Sequence, residues 1–543
     1  MKKKLTVFML GMSILAGLTA CGKSEPAPAP SSEASGEPVF DESGAEMIDE
    51  NTYLTGDKIV KDPITLRVDV SSGALTGNLN TLTWVEQLEK DTNIDLDINH
   101  MNSGDTNEQV SLIFNTQDYP DIFFGGPTPQ QLNDCVEAGV LYPLDDLIEQ
   151  YAPNWKKYLD ENPYVRKLIT YSDGHIYSLP CVRDEVVQNG IRDQWLINKA
   201  WLDELGLPVP ATDIEFVETM QAFKDNAGKG SIPEGVIPYY FRYNYFIGSQ
   251  LDFYAAYGVV VPGDRDTTYI SIGEDGKTAE YEFTNEDIKA PVKTLNDMYK
   301  RGLIPGSVFT DDWNEYLNKT RSESAFIGSF HSFHNPNPDV YVTMPPFRVE
   351  GVENSYIRSQ LNQYAPGYFT IFKDNPYPEA SIRLADVIAD PDRSITGFYG
   401  TFGEYLEKQA DGTYLQLPQE ADSQMKENCP GNCIPLLITA EMGDKITYDG
   451  ALKVRQDAVE MYKPYILPVE RLYPRLLIPQ EDQTEFNELQ NNINDLSKQQ
   501  FALWITEGGI DKGWDAYLKD LEMAGLPRYM ELSQKFFDDF NQR

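Results

Sequence analysis

Basic residues are scarce in this chain of 543 residues: 45 lysines and arginines stand against 85 aspartates and glutamates, for a net charge of −40. A field of that sign repels nucleic acid and anionic lipid headgroups over about a Debye length, roughly 8 to 10 Å in physiological salt. Polyanionic partners are therefore disfavoured, while the inside of a pocket is left undetermined. Cysteine is equally sparse, at five residues. No second Cys or His pair stands near Cys429-Pro430-Gly431-Asn432-Cys433, which excludes a zinc reading there. That run either closes a small disulfide in an oxidising exterior or holds two free thiols. Catalytic signatures are missing as well: there is no G-x-S-x-G, no Walker loop, no H-E-x-x-H and no dinucleotide glycine pattern. The enzyme that composition leaves open is a surface glycoside hydrolase, since 85 acidic residues always supply a pair of carboxylates. Internal repeats are absent, and no second membrane segment follows the N-terminal one.

That N-terminal segment reads as an export leader. Lys2, Lys3 and Lys4 precede an apolar run from Leu5 to Ala16, too short to span a bilayer comfortably. It ends on Leu18-Thr19-Ala20-Cys21, a lipobox pattern that predicts cleavage before Cys21 and lipid on its sulfur. The chain is accordingly expected at the cell membrane, lipid-anchored and facing the outside. Loss of the leader with its three lysines takes the net charge from −40 to −43. Residues 22–62 are rich in Pro, Ala, Ser, Gly and Glu and nearly free of aromatics, which predicts a disordered tether. Its r.m.s. reach would be roughly 35 Å.

The remainder, about 480 residues, is too long for one small domain and predicts two lobes. Aromatics are plentiful there, with 32 Tyr, 25 Phe and 7 Trp in the whole chain. Ile64, Leu66, Val68 and Val70 alternate with polar residues at the period of a strand. A loop from Ser71 to Asn80, a helix carrying Trp84, Val85 and Leu88, and a return through Ile94, Leu96 and Ile98 complete a βαβ unit, so a parallel sheet is predicted. The Asp91-Thr92-Asn93-Ile94-Asp95 run imitates a calcium loop but lacks its glycine and glutamate, and reads as the start of that returning strand. Another strand is expected at Asp121-Ile122-Phe123-Phe124, stopped by Gly125-Gly126-Pro127. Ile288, Val292, Leu295 and Tyr299 predict an amphipathic helix within Thr284 to Gly302, where Pro291 demands a kink or a later start.

Several separated stretches resemble one family. They are Tyr119-Pro120-Asp121-Ile122; Ala138 to Ile148 running on to Tyr151-Ala152-Pro153-Asn154; Asp173-Gly174-His175-Ile176-Tyr177-Ser178-Leu179-Pro180; Ile197 to Leu207; and, near the end, Trp504 to Gly508, Gly513 to Tyr517 and Ala524-Gly525-Leu526. In order and spacing they resemble the extracellular solute-binding lipoproteins of ABC importers, in the long Firmicute-type, LplA-like branch of the carbohydrate class. Pro143, Leu144, Leu147, Trp201, Leu202 and Leu205 among them sit at core spacing and identify the fold rather than a ligand site.

The resemblance implies an α/β, two-lobed, periplasmic-binding-protein-like fold of type II with the ligand cleft between lobes. Lobe 1 would comprise residues 63–181 plus 330–384, and lobe 2 residues 182–329 plus 385–543 with a helical C-terminal extension. It also implies a monomeric receptor with no chemistry or cofactor of its own, partnered by a carbohydrate, most naturally an oligosaccharide, and by the permease subunits of an ABC importer. The same scaffold would serve a peptide or another small polar solute, and two opposed aromatic faces in the pocket would favour sugar. Loops after strands are where contacts are sought. Asn78 offers a donor and an acceptor to a hydroxyl, and Phe124 a face for a pyranose. The run from Pro238 to Phe246 supplies Tyr240, Tyr243 and Tyr245; Ala325 to His334 supplies Phe330, His331 and Phe333; Phe398 and Tyr399 complete the set. Each aromatic has plain core packing as its alternative, the expectation being that at least two of the set line the cleft. His331 and His334, three apart, would share an ion if helical, but no Cys or carboxylate adjoins them. Many members of this branch carry an acidic calcium loop where this chain has Asp225 to Pro233; only Asp225 and Asn226 remain as side-chain ligands, so no metal is expected.

Overall fold

The structure, a computed structural model, describes residues 39–72, 78–102, 105–261, 269–359, 364, 367–417 and 429–543. The leader, Cys21 and most of the expected tether lie outside them. From the N-terminal side the chain lays down β1 (Ile64–Ser72), β2 (Ile94–Asn102) and β3 (Ile122–Phe124), and crosses on β4 (Val182–Arg183). It then builds β5 (Gln194–Asn198), β6 (Ile237–Tyr240), β7 (Ile327–Ser332) and β8 (Tyr341–Thr343). It returns through β9 (Thr370–Ile371) and meets the crossing again as β10 (Leu437–Ile438).

The first sheet has the order β9-β3-β1-β2. Leu66, Val68 and Val70 of β1 are wholly buried, as their alternation predicts. The helix Thr83–Thr92 turns Trp84, Val85 and Leu88 onto this sheet and stops where Asn93 takes the left-handed conformation (φ +63°). β2 then runs parallel to β1, Ile64 opposite Ile94. The second sheet has the order β8-β5-β7-β6, with β7 antiparallel to β5 and parallel to β6. Its core centres on Trp195, whose ring lies 5.2 Å from Phe216 and 4.9 Å from Phe347. The Thr284 to Gly302 helix starts late, as Lys289–Lys300. Pro291 sits in its first turn, where a missing N–H breaks no helical hydrogen bond.

Three expectations about organisation need correction. β7 is an interior strand, with Phe330 opposite both Leu196 and Tyr240, so residues 330–343 belong to the second lobe's sheet and not to the return. Conversely the helix Pro391–Tyr399, expected in lobe 2, packs on lobe 1: Trp84 Nε1 donates to Thr396 Oγ1 at 3.2 Å. The tether is also shorter than its composition suggests, because the chain is already folded from Val39, where Val39–Phe40 pairs with Glu46–Met47. Asp41 and Asp49 accept backbone N–H groups that close two turns, and Ile59 and Val60 are fully buried at the end of the Thr83–Thr92 helix.

The C-terminal helices strap both lobes. Gln480–Thr506 packs along Lys289–Lys300, while its first residue, Gln480, donates to Asp134 Oδ1 of the lobe-1 helix Pro129–Glu137 at 2.7 Å. Leu526–Gln542 sends Phe540 edge-on to Tyr164 at 5.7 Å.

Within lobe 2, burial pushes the Glu282 carboxyl up from its ordinary 4.5 to about 7, against a hydrogen bond from Ser271. Because the folded value is raised, this group's contribution is fully present below pH 4.5 and is lost as pH rises through 7. Glu282→Gln is therefore expected to stabilise the protein by about 2 kcal/mol at pH 8 and to change little at pH 5, read as melting temperatures at the two pH values.

Candidate functional site

Both crossings that connect the lobes, β4 and the segment through Ile357 and Arg358, reach lobe 2 at the start of β5. Arg192 N donates to the Arg358 carbonyl there at 2.6 Å. Since β7 is antiparallel to β5 and β6 parallel to β7, the ends of β6 and β7 share that edge. The loops after Tyr240 and after Ser332 thus lie on the edge where the crossings enter, and they make the candidate wall of the cleft.

One aromatic column dominates this wall. Tyr240 stacks on Tyr316 (6.0 Å, 19°), and Tyr316 on Trp313 (5.5 Å, 16°). Trp313 opens the helix Trp313–Thr320, set by a capping box between Asp312 and Glu315, and remains 40% exposed. Beside the column the Arg242 guanidinium lies 3.6 Å from the centre of the Tyr245 ring and 5.3 Å from that of Trp313. Tyr245, 42% exposed, ends the set towards solvent. The back of the column is braced: Tyr240 OH donates to Asp311 Oδ2 at 2.7 Å, Asp311 pairs with Lys319, and Tyr316 OH donates to the His331 carbonyl.

A second aromatic group stands nearer the hinge. Arg455 lies 3.7 Å above Phe333, and Arg192 lies 5.2 Å from Phe333 and 5.0 Å from Phe246. Arg455 is wholly buried and donates to the carbonyls of Val187 (2.7 Å), Ile191 (2.5 Å) and Phe333 (2.5 Å), tying the crossing to the loop after β7. At the crossing itself Arg183 covers Phe398 at 3.1 Å, pairs with Glu185 and donates to Asn432 Oδ1 at 2.9 Å. The Cys429 thiol donates to the Phe398 carbonyl at 3.3 Å, and burial pushes it up to about 12.

Behind both groups is a charged centre. Arg358 holds Asp252 with two hydrogen bonds of 2.8 Å, and Asp193 lies 3.7 Å away. Burial would raise both carboxyls; Arg358 overcomes this at Asp252, holding it below the usual range, while Asp193 stays raised.

Of the residues expected in the cleft, Tyr245, Phe333 and Phe398 keep exposed or half-buried faces on this wall and hinge. The others are placed elsewhere, each for a packing reason. Phe330 is wholly buried, edge-on to Tyr341 at 4.9 Å. His331 is buried against Trp195 and exchanges a hydrogen bond of 2.9 Å with Tyr239; burial lowers it to about 4, so it is neutral. It stands on a strand, which removes the helical pairing with His334, and among the described residues no cluster of His, Cys, Asp or Glu fits a metal. Tyr399 is buried on Tyr448, and Phe124 is buried 6.1 Å from Phe369. Tyr240 is the inner member of the column rather than a contact face, being wholly buried. Tyr243 turns away, its hydroxyl donating to the Lys498 carbonyl at 2.7 Å. Asn78 is exposed, but its side chain caps the short turn that follows it by accepting from Asn80 N. In the Asp225 to Pro233 loop, Lys229 Nζ donates to the Asp225 carbonyl (3.0 Å) and to Asn226 Oδ1 (3.3 Å), so two of the oxygens there already hold a cation of the chain's own.

Residues 81–392 match the family described as bacterial extracellular solute-binding protein. The chain belongs to that family. It is 29% identical over 477 residues, 84% of this chain and 86% of the other, to the fructooligosaccharide ABC transporter substrate-binding protein FusA of Streptococcus pneumoniae serotype 4. FusA as an EF-hand mutant in complex with fructo-nystose superposes with a TM-score of 0.74 at 28% identity, covering 88% of this chain and 99% of that one. A solute-binding protein from Bifidobacterium longum infantis, described as binding HMO and associated with an ABC transporter, shares the fold with a TM-score of 0.76 at 22% identity, over 88% and 99% of the two chains. The two-lobed α/β architecture is thus that of the extracellular solute-binding proteins, and among the described residues no helix is long and apolar enough to cross a membrane.

Proposed function

We propose that this chain is the receptor of an ABC importer: it captures an oligosaccharide between its lobes and delivers it to the permease. The observation that carries the reading is the Trp313–Tyr316–Tyr240 column with Tyr245, presented on the cleft-facing edge of lobe 2 in a member of this family. The C–H face of a sugar ring is apolar and slightly electropositive, so it suits an aromatic face, while its hydroxyls need polar partners at the rim. Phe333 and Phe398 supply the inner contacts. Closure is favoured because a ligand that touches both lobes binds the closed form better than the open one. The relative at 29% identity is a fructooligosaccharide-binding protein, which supports a sugar of that size class.

The receptor works as a monomer without catalysing a reaction, held to the outer face of the membrane by lipid on Cys21. Lobe 1 comprises residues 39–181 and the return from about 360 to 399; lobe 2 comprises 182–359, with the C-terminal helices joining both.

Thermal unfolding of the mature chain against mono- and oligosaccharides, short peptides and amino acids tests the reading. A ligand at 100 times its dissociation constant adds about 2.7 kcal/mol, a readily visible shift. A shift with an oligosaccharide series is expected; shifts with peptides alone would replace sugar by peptide as the cargo.

A further inference from the structure

Arg242 is anomalous among the cations of the cleft wall. Arg358 is matched by Asp252, Lys319 by Asp311, and Arg192 lies beside Asp193. Arg242 is only 3% exposed, yet among the described residues its guanidinium has no ion pair and no hydrogen bond, and its Nε is fully buried without a partner. What holds it is aromatic: Tyr245 at 3.6 Å, Trp313 at 5.3 Å and Tyr316 at 5.6 Å. Ring faces stabilise a cation without using its N–H groups. A buried charge without a counter-ion is costly, and with Nε enclosed the N–H groups of Nη1 and Nη2 remain for a planar acceptor.

The loop is built to keep that fork in place. Arg242 N donates to the Gly248 carbonyl at 2.6 Å. Asn244, in the left-handed conformation (φ +57°), exchanges two hydrogen bonds of 2.7 Å with the Gln250 side chain. Tyr245 is thereby folded back over the guanidinium before any ligand arrives, so little ordering remains to be done on binding.

We propose that Arg242 is a ligand contact that selects an anionic cargo, pairing with a carboxylate on an acidic oligosaccharide while Tyr245 and Trp313 flank the sugar that carries it. A carboxylate matches the guanidinium fork bidentately and neutralises the charge, which a hydroxyl pair does not. The net charge of −40 disfavours anions over the surface as a whole, so an acidic sugar needs a specific cation such as Arg242 to hold it. The inference deepens the carbohydrate reading and rests on it.

Titration calorimetry of the mature chain tests it with oligosaccharides that carry a single carboxylate, sialyl-oligosaccharides and glucuronic acid-substituted xylo-oligosaccharides, each beside its carboxyl-reduced counterpart and beside neutral fructooligosaccharides. At least one acidic series is expected to bind 100-fold or more tighter than its reduced form, with an affinity that falls as salt rises. Arg242→Gln should collapse that ratio to a few-fold, and Arg242→Lys should retain part of it. Equal affinity for acid and reduced forms, or binding of neutral sugars alone, overturns the role of Arg242 and leaves the carbohydrate reading standing. An acid preference that survives in Arg242→Gln overturns the assignment to this residue. Binding of peptides with no sugar overturns both. If Arg242→Gln fails to fold, the ratio and salt dependence of the unaltered protein decide the cargo, and Arg242→Lys decides the residue.

Discussion

Replacing Arg358 by alanine is expected to destabilise the protein by about 3 to 5 kcal/mol. Its guanidinium is wholly buried and binds both oxygens of Asp252, itself 1% exposed, at 2.8 Å. Removing it strands a carboxylate in the lobe-2 core and takes away both of its 2.8 Å charge-assisted hydrogen bonds. It also removes one of two donors to the Phe246 carbonyl, Arg358 Nη2 at 3.2 Å, and leaves Arg192 Nε at 3.1 Å to hold the loop that carries Tyr245. Urea unfolding of Arg358→Ala should show the full loss. The paired change Arg358→Met with Asp252→Leu should recover much of it, because replacing a buried ion pair by apolar residues is far less costly than breaking it. A loss in Arg358→Ala below about 1 kcal/mol would show that the pair is not buried as described.

The second large effect is on binding. Trp313→Ala should weaken the best oligosaccharide about tenfold, which is about 1.4 kcal/mol, and the double change with Tyr245→Ala about a hundredfold. Because the two rings are 40% and 42% exposed, their removal costs the fold far less than removing the fully buried Tyr240. Affinities from calorimetry set beside melting temperatures separate the two effects. Phe330→Leu makes the informative contrast: it should lower the melting temperature and leave affinity near that of the unaltered protein.

Much of the fold was legible because local pattern and tertiary role agree. The alternation of Ile64 to Val70, the one-sided helix through Trp84, Val85 and Leu88 and the turn glycines after Phe124 each state their own place. The position of Pro291 likewise forced a late helix start. The lobe boundaries were not legible, because the central place of β7 depends on pairing with two strands, one of them more than 100 residues away. The site was half legible for a related reason. In a run such as Pro238 to Phe246 the sequence announces that aromatics gather, but not which leave the sheet. Tyr239 and Tyr240 lie in a strand covered on both faces, and Tyr245 lies in the loop beyond it. Trp313 and Arg242 carried no local signal. A tryptophan beside a helix cap and an arginine among tyrosines become a platform only when the helix Trp313–Thr320 is laid against the end of β6.

The most direct test of the account is titration calorimetry of the mature chain with the oligosaccharide that gives the largest thermal shift, performed on the unaltered protein and on Trp313→Ala. The account predicts saturable binding at micromolar concentration or below, no cleavage of the sugar recovered from the cell, and about a tenfold loss in the variant. Binding of peptides in place of sugars, hydrolysis of the recovered glycan, or an affinity unchanged by Trp313→Ala would contradict it.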